Sequence, residues 1–110
     1  MLVSEWVKKL GGDVLTGVIE KDIEVTGIYC GDLLSWVMSH AAKGSAWITV
    51  HTHLNIVAVA SLTELSCIII PENIKVDEPT IQKAKDENVI IISSELSTYQ
   101  ICCIAHECGI

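Results

Sequence analysis

The sequence predicts a three-layer α/β/α sandwich in which a largely parallel sheet lies between helices. Its runs ITV, CIII and VIII are continuously apolar rather than alternating, which is typical of strands covered on both faces. Helical segments of crossover length separate these runs, as parallel neighbouring strands require. The loops that follow the runs are short and lead directly into helices. Together these observations predict one α/β domain that comprises residues 1–110.

Helix caps and glycine stops indicate the elements in the first half of the chain. Ser4 is expected to cap a short helix that ends at Gly11-Gly12, because glycine readily adopts the left-handed conformation of a helix C-terminus. Asp32 is expected to cap the helix LLSWVMSHAAK, which stops at Gly44. Two short strands are expected before that helix, at Val14-Leu15 and from Ile23 to Tyr29.

The second half of the chain continues the alternation of strands and helices. Pro71 closes a short β-branched run, and Pro79 lies just inside the start of the helix TIQKAKDEN. Ser93 or Ser94 is expected to cap the last helix. The expected strands are Ala46 to Val50, Cys67 to Ile70 and Val89 to Ile92, and the other expected helices are Asn55 to Leu65 and Glu95 to Cys108.

Composition excludes several classes of partner. The formal net charge of −7 repels phosphate backbones and anionic membrane surfaces, so we expect neither a nucleic-acid nor a membrane partner. The apolar runs are far too short to span a bilayer, and the N-terminus lacks the apolar region of a signal peptide. Five cysteines, an odd number, include the adjacent Cys102-Cys103, which indicates reduced thiols in a cytoplasm.

Two histidines, His51 and His53, lie where the strand AWITV passes into the next helix. Imidazoles two positions apart on an extended chain point the same way and can share one ion, but Zn²⁺ requires a further protein ligand. The candidates for that ligand, none at a diagnostic spacing, are Asp32, Glu72 and His40. We therefore expect no metal and no cofactor, although a metal-dependent hydrolase that uses His51 and His53 remains an alternative.

The structural interpretation of the same turn assigns the imidazoles to backbone groups at the end of the strand. Thr52 and Asn55 would then help to cap the following helix. In parallel α/β folds, however, ligands gather beyond the carboxyl ends of strands, near helix N-termini. Gly31-Asp32, which precedes a helix, also offers backbone N–H groups to a small anion, although the carboxylate of Asp32 would repel one.

The last helix and the helix NIVAVASLTEL carry apolar surfaces with two interpretations each. Cys102 and His106 lie one turn apart with Cys108 beyond them, but the surrounding residues are apolar and no CxxC motif occurs, so core-filling thiols are favoured. Whether Cys102 and Cys103 are ever oxidised stays open. The helix NIVAVASLTEL is apolar nearly all round, so either its own sheet or another subunit covers it, and Trp36 and Trp47 add large aromatic surfaces.

The stretch DIEVTGIYCGDLLSWVM resembles the DRTGG domain. The similarity continues through AWITVHTHLNIVAVASLTELSCIII and VIIISSELSTYQI, and so covers nearly the whole chain. Asp22, Val25, Thr26 and Gly27 match the family's signature region. Ile28 stands where many members have a second glycine, a departure that bears on any close backbone contact requiring glycine there.

This resemblance implies a fold like the N-terminal domain of HPr kinase/phosphorylase, which lacks that enzyme's catalytic P-loop. DRTGG domains also occur in phosphotransacetylases and between CBS domains of some inorganic pyrophosphatases, where they serve assembly and regulation. In those pyrophosphatases the CBS modules chiefly bind the adenine nucleotides, and the DRTGG domain contributes to the dimer. No GxxxxGK[ST] motif exists in this sequence, so kinase activity is not implied.

We therefore expect a non-catalytic regulatory or interaction module that forms a homodimer and acts beside a separately encoded enzyme or regulator. A small-molecule sensor that binds a nucleotide or phosphometabolite is the second hypothesis. No catalytic residue is expected. The expected ligand-binding residues, assigned to the strand ends and partly from the resemblance, are Thr26, Gly27, Asp32, Thr49, His51, Thr52, His53 and Asn55.

Overall fold

A five-stranded sheet forms the middle layer of the computed structural model, which describes all residues from Met1 to Ile110. The strand order is β1-β5-β4-β3-β2; β1 pairs antiparallel with β5, and all other neighbours are parallel. The expected largely parallel α/β/α sandwich is thus confirmed. The elements are α1 (Val3–Leu10), β1 (Asp13–Val14), β2 (Gly27–Cys30), α2 (Leu34–His40), β3 (Ser45–Ile48), α3 (Asn55–Leu62), β4 (Cys67–Ile70), α4 (Glu78–Asp86), β5 (Ile91–Ser93) and α5 (Thr98–Glu107).

Two hydrophobic cores lie on opposite faces of the sheet. Successive side chains of a strand point to opposite faces, so Ile69 of β4 belongs to one core and Ile68 to the other. The first core packs beneath α1 and α5 around Trp6 and Ile101. The second packs beneath α2, α3 and α4 around Trp47. Because both faces of the sheet are covered, the central strands are continuously apolar and do not alternate with polar residues. This pattern is why the sequence predicted their positions.

Because β2 to β5 are parallel, their first residues lie together at one end of the sheet and their last residues at the other. We call the edge formed by the starts of β2 to β5 the amino edge, and the edge formed by their ends the carboxyl edge. Gly27 pairs with Ser45 at the amino edge, and Cys30 pairs with Ile48 at the carboxyl edge. The loops from β2 to α2 and from β3 to α3 therefore begin side by side at the carboxyl edge.

Several of the expected helix caps are wrong because long-range hydrogen bonds take the capping side chains. Ser4 lies inside the first turn of α1, whose N-cap is Leu2, and its amide and hydroxyl both donate to Asp22. The expected glycine stop is confirmed, since Gly11 has φ +60°. Asp32 does not cap α2; Leu33 holds that position.

The caps expected for the third and fifth helices are also wrong. The N-cap of α3 is Leu54, with no capping side chain from Thr52 or Asn55. Helix α5 begins later than expected, after Ser97, whose hydroxyl accepts from the Gln100 amide. Ser94 instead continues the β5 ladder through its amide, which donates to Ile70 O, and its hydroxyl accepts from the Leu96 amide in the loop before the helix.

Candidate functional site

The turn that follows β3 is organised by a hydrogen-bonded pair, Asp32 and Thr49. The buried Thr49 hydroxyl donates to Oδ1 of Asp32 at 2.8 Å, and the Val50 amide donates to the same oxygen at 2.9 Å. Thr49 Oγ1 in turn accepts from the His51 amide at 3.2 Å. This small network joins the β2–α2 loop to the β3–α3 loop. The Thr49 hydroxyl and Oδ1 of Asp32 are therefore already used within the chain.

Trp47 fixes the neighbouring turn from inside the core. Its indole N–H donates to the Gly31 carbonyl at 2.8 Å, and the Gly31 amide donates to Ile48 O at 3.3 Å. Trp47 is fully buried, so it cannot also supply an exposed aromatic surface. Trp36, the other aromatic proposed for a contact surface, is 56% exposed. Trp47 therefore belongs to the core, and only Trp36 can contribute to a contact surface.

Four side chains at this turn have no hydrogen-bond partner in the chain: His51, Thr52, His53 and Asn55. The backbone beneath them is held, because the Thr52 carbonyl accepts from the buried Thr80 hydroxyl at 2.7 Å. No group of three or more His, Cys, Asp or Glu side chains gathers into a metal-binding arrangement. The turn thus offers polar side chains on a fixed backbone, without a third ligand beside the two histidines.

Exposed apolar side chains occur in both segments that follow the carboxyl edge at β2 and β3. They are Leu33 and Trp36 of the α2 segment and Val50 and Leu54 of the β3–α3 turn, and we call them together the apolar face. Leu33 is the N-cap of α2 and Trp36 lies in its first turn, where both side chains are exposed although the adjoining Val37 is buried. The Trp36 ring stacks on the His40 ring with 3.9 Å between centroids.

The apolar face lies within two uncharged stretches of sequence. No Asp, Glu, Lys or Arg occurs from residue 33 to 42 or from residue 49 to 63, although the chain contains 14 acidic and 7 basic residues. The formal charge of −7 is therefore carried elsewhere on the surface. The exposed carboxylate of Asp32 lies at the border of this face, since it precedes Leu33 and accepts from the Val50 amide.

Thr26 and Gly27 lie at the amino edge, away from the other expected ligand residues. The Thr26 hydroxyl donates to the Lys43 carbonyl at 3.2 Å, and the Thr26 amide donates to Gly44 O at 3.0 Å. Gly44 has φ +85°, and a Cβ there would collide with the Thr26 hydroxyl. Strand β2 separates Gly27 from Asp32 by roughly 15 Å at the usual rise per residue. The structure therefore brings together six of the eight expected residues and separates these two.

The first residue of the signature region anchors the N-terminal helix. Asp22 accepts hydrogen bonds from the Ser4 amide and hydroxyl, and these bonds lower the pKa of the Asp22 carboxyl. Next to it, Glu24 bonds the amino group of Met1 and raises the pKa of that terminus. This anchoring role of Asp22 was not predicted. Apart from the place of Asp22 in the signature region, nothing in the local sequence indicated a contact with Ser4.

Two open hollows lie along the amino edge, at the opposite end of the sheet from the strand ends where the ligand site was expected. Their volumes are about 790 and 670 Å³, and they share Lys21, Ile23, Asn88 and Val89. Thr26 lines the second hollow. The residues come from four loops and two helices of the chain, so no local sequence pattern could have indicated these hollows.

Comparisons with known proteins agree with this architecture. The family profile described as DRTGG domain matches residues 5–108. No curated protein sequence matches the chain. One similar solved structure is that of the CBS and DRTGG domains of the regulatory region of Clostridium perfringens pyrophosphatase, complexed with its activator diadenosine tetraphosphate. The TM-score is 0.74 at 13% identity, and the match covers 93% of this chain and 44% of that one.

The structural match shows a shared fold, and this chain spans less than half the length of the crystallised regulatory region. None of the five helices is both long enough and apolar enough to cross a bilayer. The family match extends over almost the entire sequence and includes α1, the signature region and α5. The chain therefore belongs to the DRTGG domain family.

Proposed function

We propose that this DRTGG domain is a non-catalytic regulatory module that forms a homodimer through its apolar face. The observation that carries the proposal is the half-exposed Trp36, which lies with other exposed apolar side chains in uncharged stretches of the chain. Large exposed aromatic side chains that become buried on association dominate the energy of many interfaces. A monomer would leave Trp36 and Leu33, which is 66% exposed, in water.

Charge favours a second copy of this chain at that face. Two copies that each carry a formal charge of −7 repel each other over most of their surfaces. The residues of the apolar face are themselves uncharged, with the carboxylate of Asp32 at its border, so two copies oppose few carboxylates there. A two-fold contact places the same patch on both partners, so an uncharged patch is self-complementary in charge. We further propose that the dimer acts in the cytoplasm, beside a separately encoded enzyme or regulator.

We further propose that the histidine turn binds a small regulatory ligand. His51, Thr52, His53 and Asn55 present unpartnered polar groups at the start of α3, where backbone N–H groups favour an anion. The Clostridium perfringens regulatory region is complexed with diadenosine tetraphosphate, which makes an adenine nucleotide a suitable first probe. Thr26 and Gly27 do not enter this proposal because they lie at the other edge of the sheet.

Sedimentation velocity over a range of protein concentrations tests the dimer. We expect the wild type to dimerise at micromolar concentration and Trp36→Ala to weaken the dimer by on the order of 30-fold, as for truncation of a central aromatic anchor. Tyr99→Ala is the matched control, because Tyr99 is also an exposed aromatic residue but lies on α5, in the opposite helical layer. A monomeric wild type, or equal weakening by both substitutions, would contradict the proposal.

Thermal shift measurements with ATP and diadenosine tetraphosphate test the ligand. We expect a rise in Tm for the wild type that is lost in the double variant His51→Ala/His53→Ala, while Lys85→Ala at the amino edge retains it. An unchanged Tm of the wild type with both nucleotides would remove the nucleotide proposal. A shift lost only in Lys85→Ala would move the site to the hollows of the amino edge.

A further inference from the structure

Two cysteines 72 positions apart meet at the carboxyl edge on the side of the sheet covered by α5. Cys30 is the last residue of β2, and Cys102 lies on α5, which packs against β2. Their sulfur atoms are 3.3 Å apart. Cys30 is exposed to solvent and Cys102 is half-buried, so small reagents can reach the pair.

The other three cysteines have no thiol neighbour. Cys67 is buried in the first core next to Ser66, as expected for a core-filling thiol. Cys103 follows Cys102 in sequence, but a helix rotates consecutive side chains by about 100°, and its neighbour is the Tyr99 hydroxyl. Cys108 lies beyond the last turn of α5. The pairing of Cys30 with Cys102 thus results from the packing of α5 on β2.

The environment of Cys30 keeps its thiol protonated. Partial burial, followed by the hydrogen bond with Cys102, raises the pKa of Cys30 to about 12. At neutral pH Cys30 is therefore the S–H partner of the pair and a poor initial nucleophile. This assigns the first attack on an oxidant to Cys102 and leaves Cys30 in contact as the second thiol.

We propose that Cys30 and Cys102 form a redox-reactive dithiol site that a hydroperoxide converts into a disulfide. The Cys102 sulfur attacks the O–O bond and takes the terminal oxygen as a sulfenic acid, while the thiol proton goes to the other oxygen, which leaves as an alcohol or water. Cys30 sulfur then attacks the sulfenic sulfur; the S–S bond forms, the S–O bond breaks, and the hydroxyl leaves with the Cys30 proton as water. The peroxide gains the two electrons that the thiols lose.

The geometry makes the second step short. A disulfide has its sulfur atoms about 2.05 Å apart, so the pair has to close by roughly 1.3 Å. Cys30 and Cys102 belong to β2 and α5, which already pack together. We therefore expect rotation of the two side chains to bring the sulfur atoms to bonding distance without a movement of α5. The resulting bond would tie the end of β2, one residue before Gly31 and two before Asp32, to the helix above it.

The experiment treats the reduced full-length protein with one equivalent of hydrogen peroxide, alkylates the remaining thiols, and maps cross-linked peptides by mass spectrometry. We expect a Cys30–Cys102 cross-link and, on thermal unfolding, a Tm higher by on the order of 10 °C, since the bond closes a long loop of the unfolded chain. Reduction with a dithiol should reverse both changes.

Three variants make the result specific. Cys30→Ser and Cys102→Ser should each abolish the cross-link, whereas Cys108→Ser, which removes another half-buried thiol, should retain it. In Cys30→Ser, dimedone should label the oxidised Cys102, because the partner that condenses with the sulfenic acid is missing. Full alkylation of both thiols after peroxide treatment, or a cross-link that joins Cys102 to Cys103 or two chains, would overturn the proposal. The readout is independent of dimerisation and of nucleotide binding.

Discussion

The two edges of the sheet use their polar residues in different ways. At the amino edge, the side chains of Asp22 and Thr26 bond Ser4 and the backbone of Lys43, which connects β2 to α1 and to the start of β3. At the carboxyl edge, Asp32 and Thr49 bond each other and the local backbone, but the polar side chains of the adjoining turn, His51 among them, remain without partners.

This difference distinguishes structural polar residues from available ones. A polar side chain whose hydrogen-bonding groups are used within the chain stabilises a turn, and binding a ligand with those groups would break that turn. A polar side chain without a partner on a fixed backbone can bind a ligand at little cost to the fold. By this criterion Asp22 and Thr26 of the signature region serve the fold, and the histidine turn is the place where the proposed ligand would bind.

The largest expected effect is at the amino edge, for Gly44→Ala. Its φ of +85° disfavours alanine, and the added Cβ would collide with the Thr26 hydroxyl. We expect the free energy of unfolding, measured by urea denaturation, to fall by about 2–4 kcal/mol. Gly17→Ala is the control, because Gly17 has φ +92° but nothing within 4 Å of the new Cβ; its cost should be about 1 kcal/mol.

A second variant sharpens the interpretation of Gly44. If the collision with Thr26 causes the excess loss, Thr26→Ala should recover part of the stability in the Gly44→Ala background while destabilising the wild-type background. Additive effects of the two substitutions would show that Gly44 and Thr26 do not act as one contact, and would weaken the structural role assigned to the amino edge.

The next largest effect is expected at the carboxyl edge, for Asp32→Ala. The substitution removes the acceptor for both the buried Thr49 hydroxyl and the Val50 amide, and an unsatisfied buried hydroxyl is costly. We expect a loss of about 1–3 kcal/mol in the same denaturation measurement. Asp32→Asn keeps one carbonyl oxygen and should lose less than half as much. No loss in either variant would mean that the Asp32–Thr49 pair does not hold the turn.

A smaller effect, visible mainly in acid, is expected for Asp22→Asn. The Ser4 hydrogen bonds lower the pKa of Asp22 below its ordinary value of 3.8, so the folded state binds this proton less readily than the unfolded state. The resulting stabilisation is present above about pH 4 and is lost as the pH falls towards the lowered pKa. Asp22→Asn should therefore flatten the loss of stability between neutral pH and about pH 3.

Urea midpoints across that pH range provide the measurement. Asp13→Asn is the control, since Asp13 is an exposed carboxylate with no side-chain hydrogen bond. If Asp13→Asn changes the acid limb as much as Asp22→Asn does, the contact with Ser4 contributes nothing specific.

The smallest effect is expected for the double variant His51→Ala/His53→Ala. Neither imidazole has a hydrogen-bond partner in the chain, so the free energy of unfolding should change by no more than about 0.5 kcal/mol. Chemical denaturation in the absence of nucleotide tests this. A loss above 1 kcal/mol would place the histidines among the structural residues and remove the contrast between the two edges.

Local signals in the sequence were sufficient for the layers and for several element boundaries. Cys67–Ile70 was predicted with the bounds that β4 has in the structure, because Pro71 ends a continuously apolar run. Gly11 likewise ended α1 as predicted. The resemblance to the DRTGG domain, carried by Asp22 to Met38 and two later segments, was confirmed by the match over residues 5–108.

The candidate site was predictable only in part. The positions of Asp32, Thr49 and His51 near one another follow from the rule that parallel strands end at a common edge. Thr26 and Gly27 were grouped with them from the signature alone, although Thr26 precedes β2 and Gly27 begins it, whereas Asp32 follows it. Asp32 was predicted to cap α2 because it precedes that helix in the sequence. In the structure its carboxylate accepts from Thr49, which lies 17 positions away and could not be identified as a partner from the local sequence.

The sequence by itself determined the double-sided sheet, since strands covered on both faces have to be apolar along their whole length and that pattern is local. Only the tertiary structure decided which polar groups are free. Asp22 with Ser4, Asp32 with Thr49, and Cys30 with Cys102 are pairs formed by packing between distant segments. Each such contact depends on how strands and helices dock, and no periodicity or spacing along the chain records it.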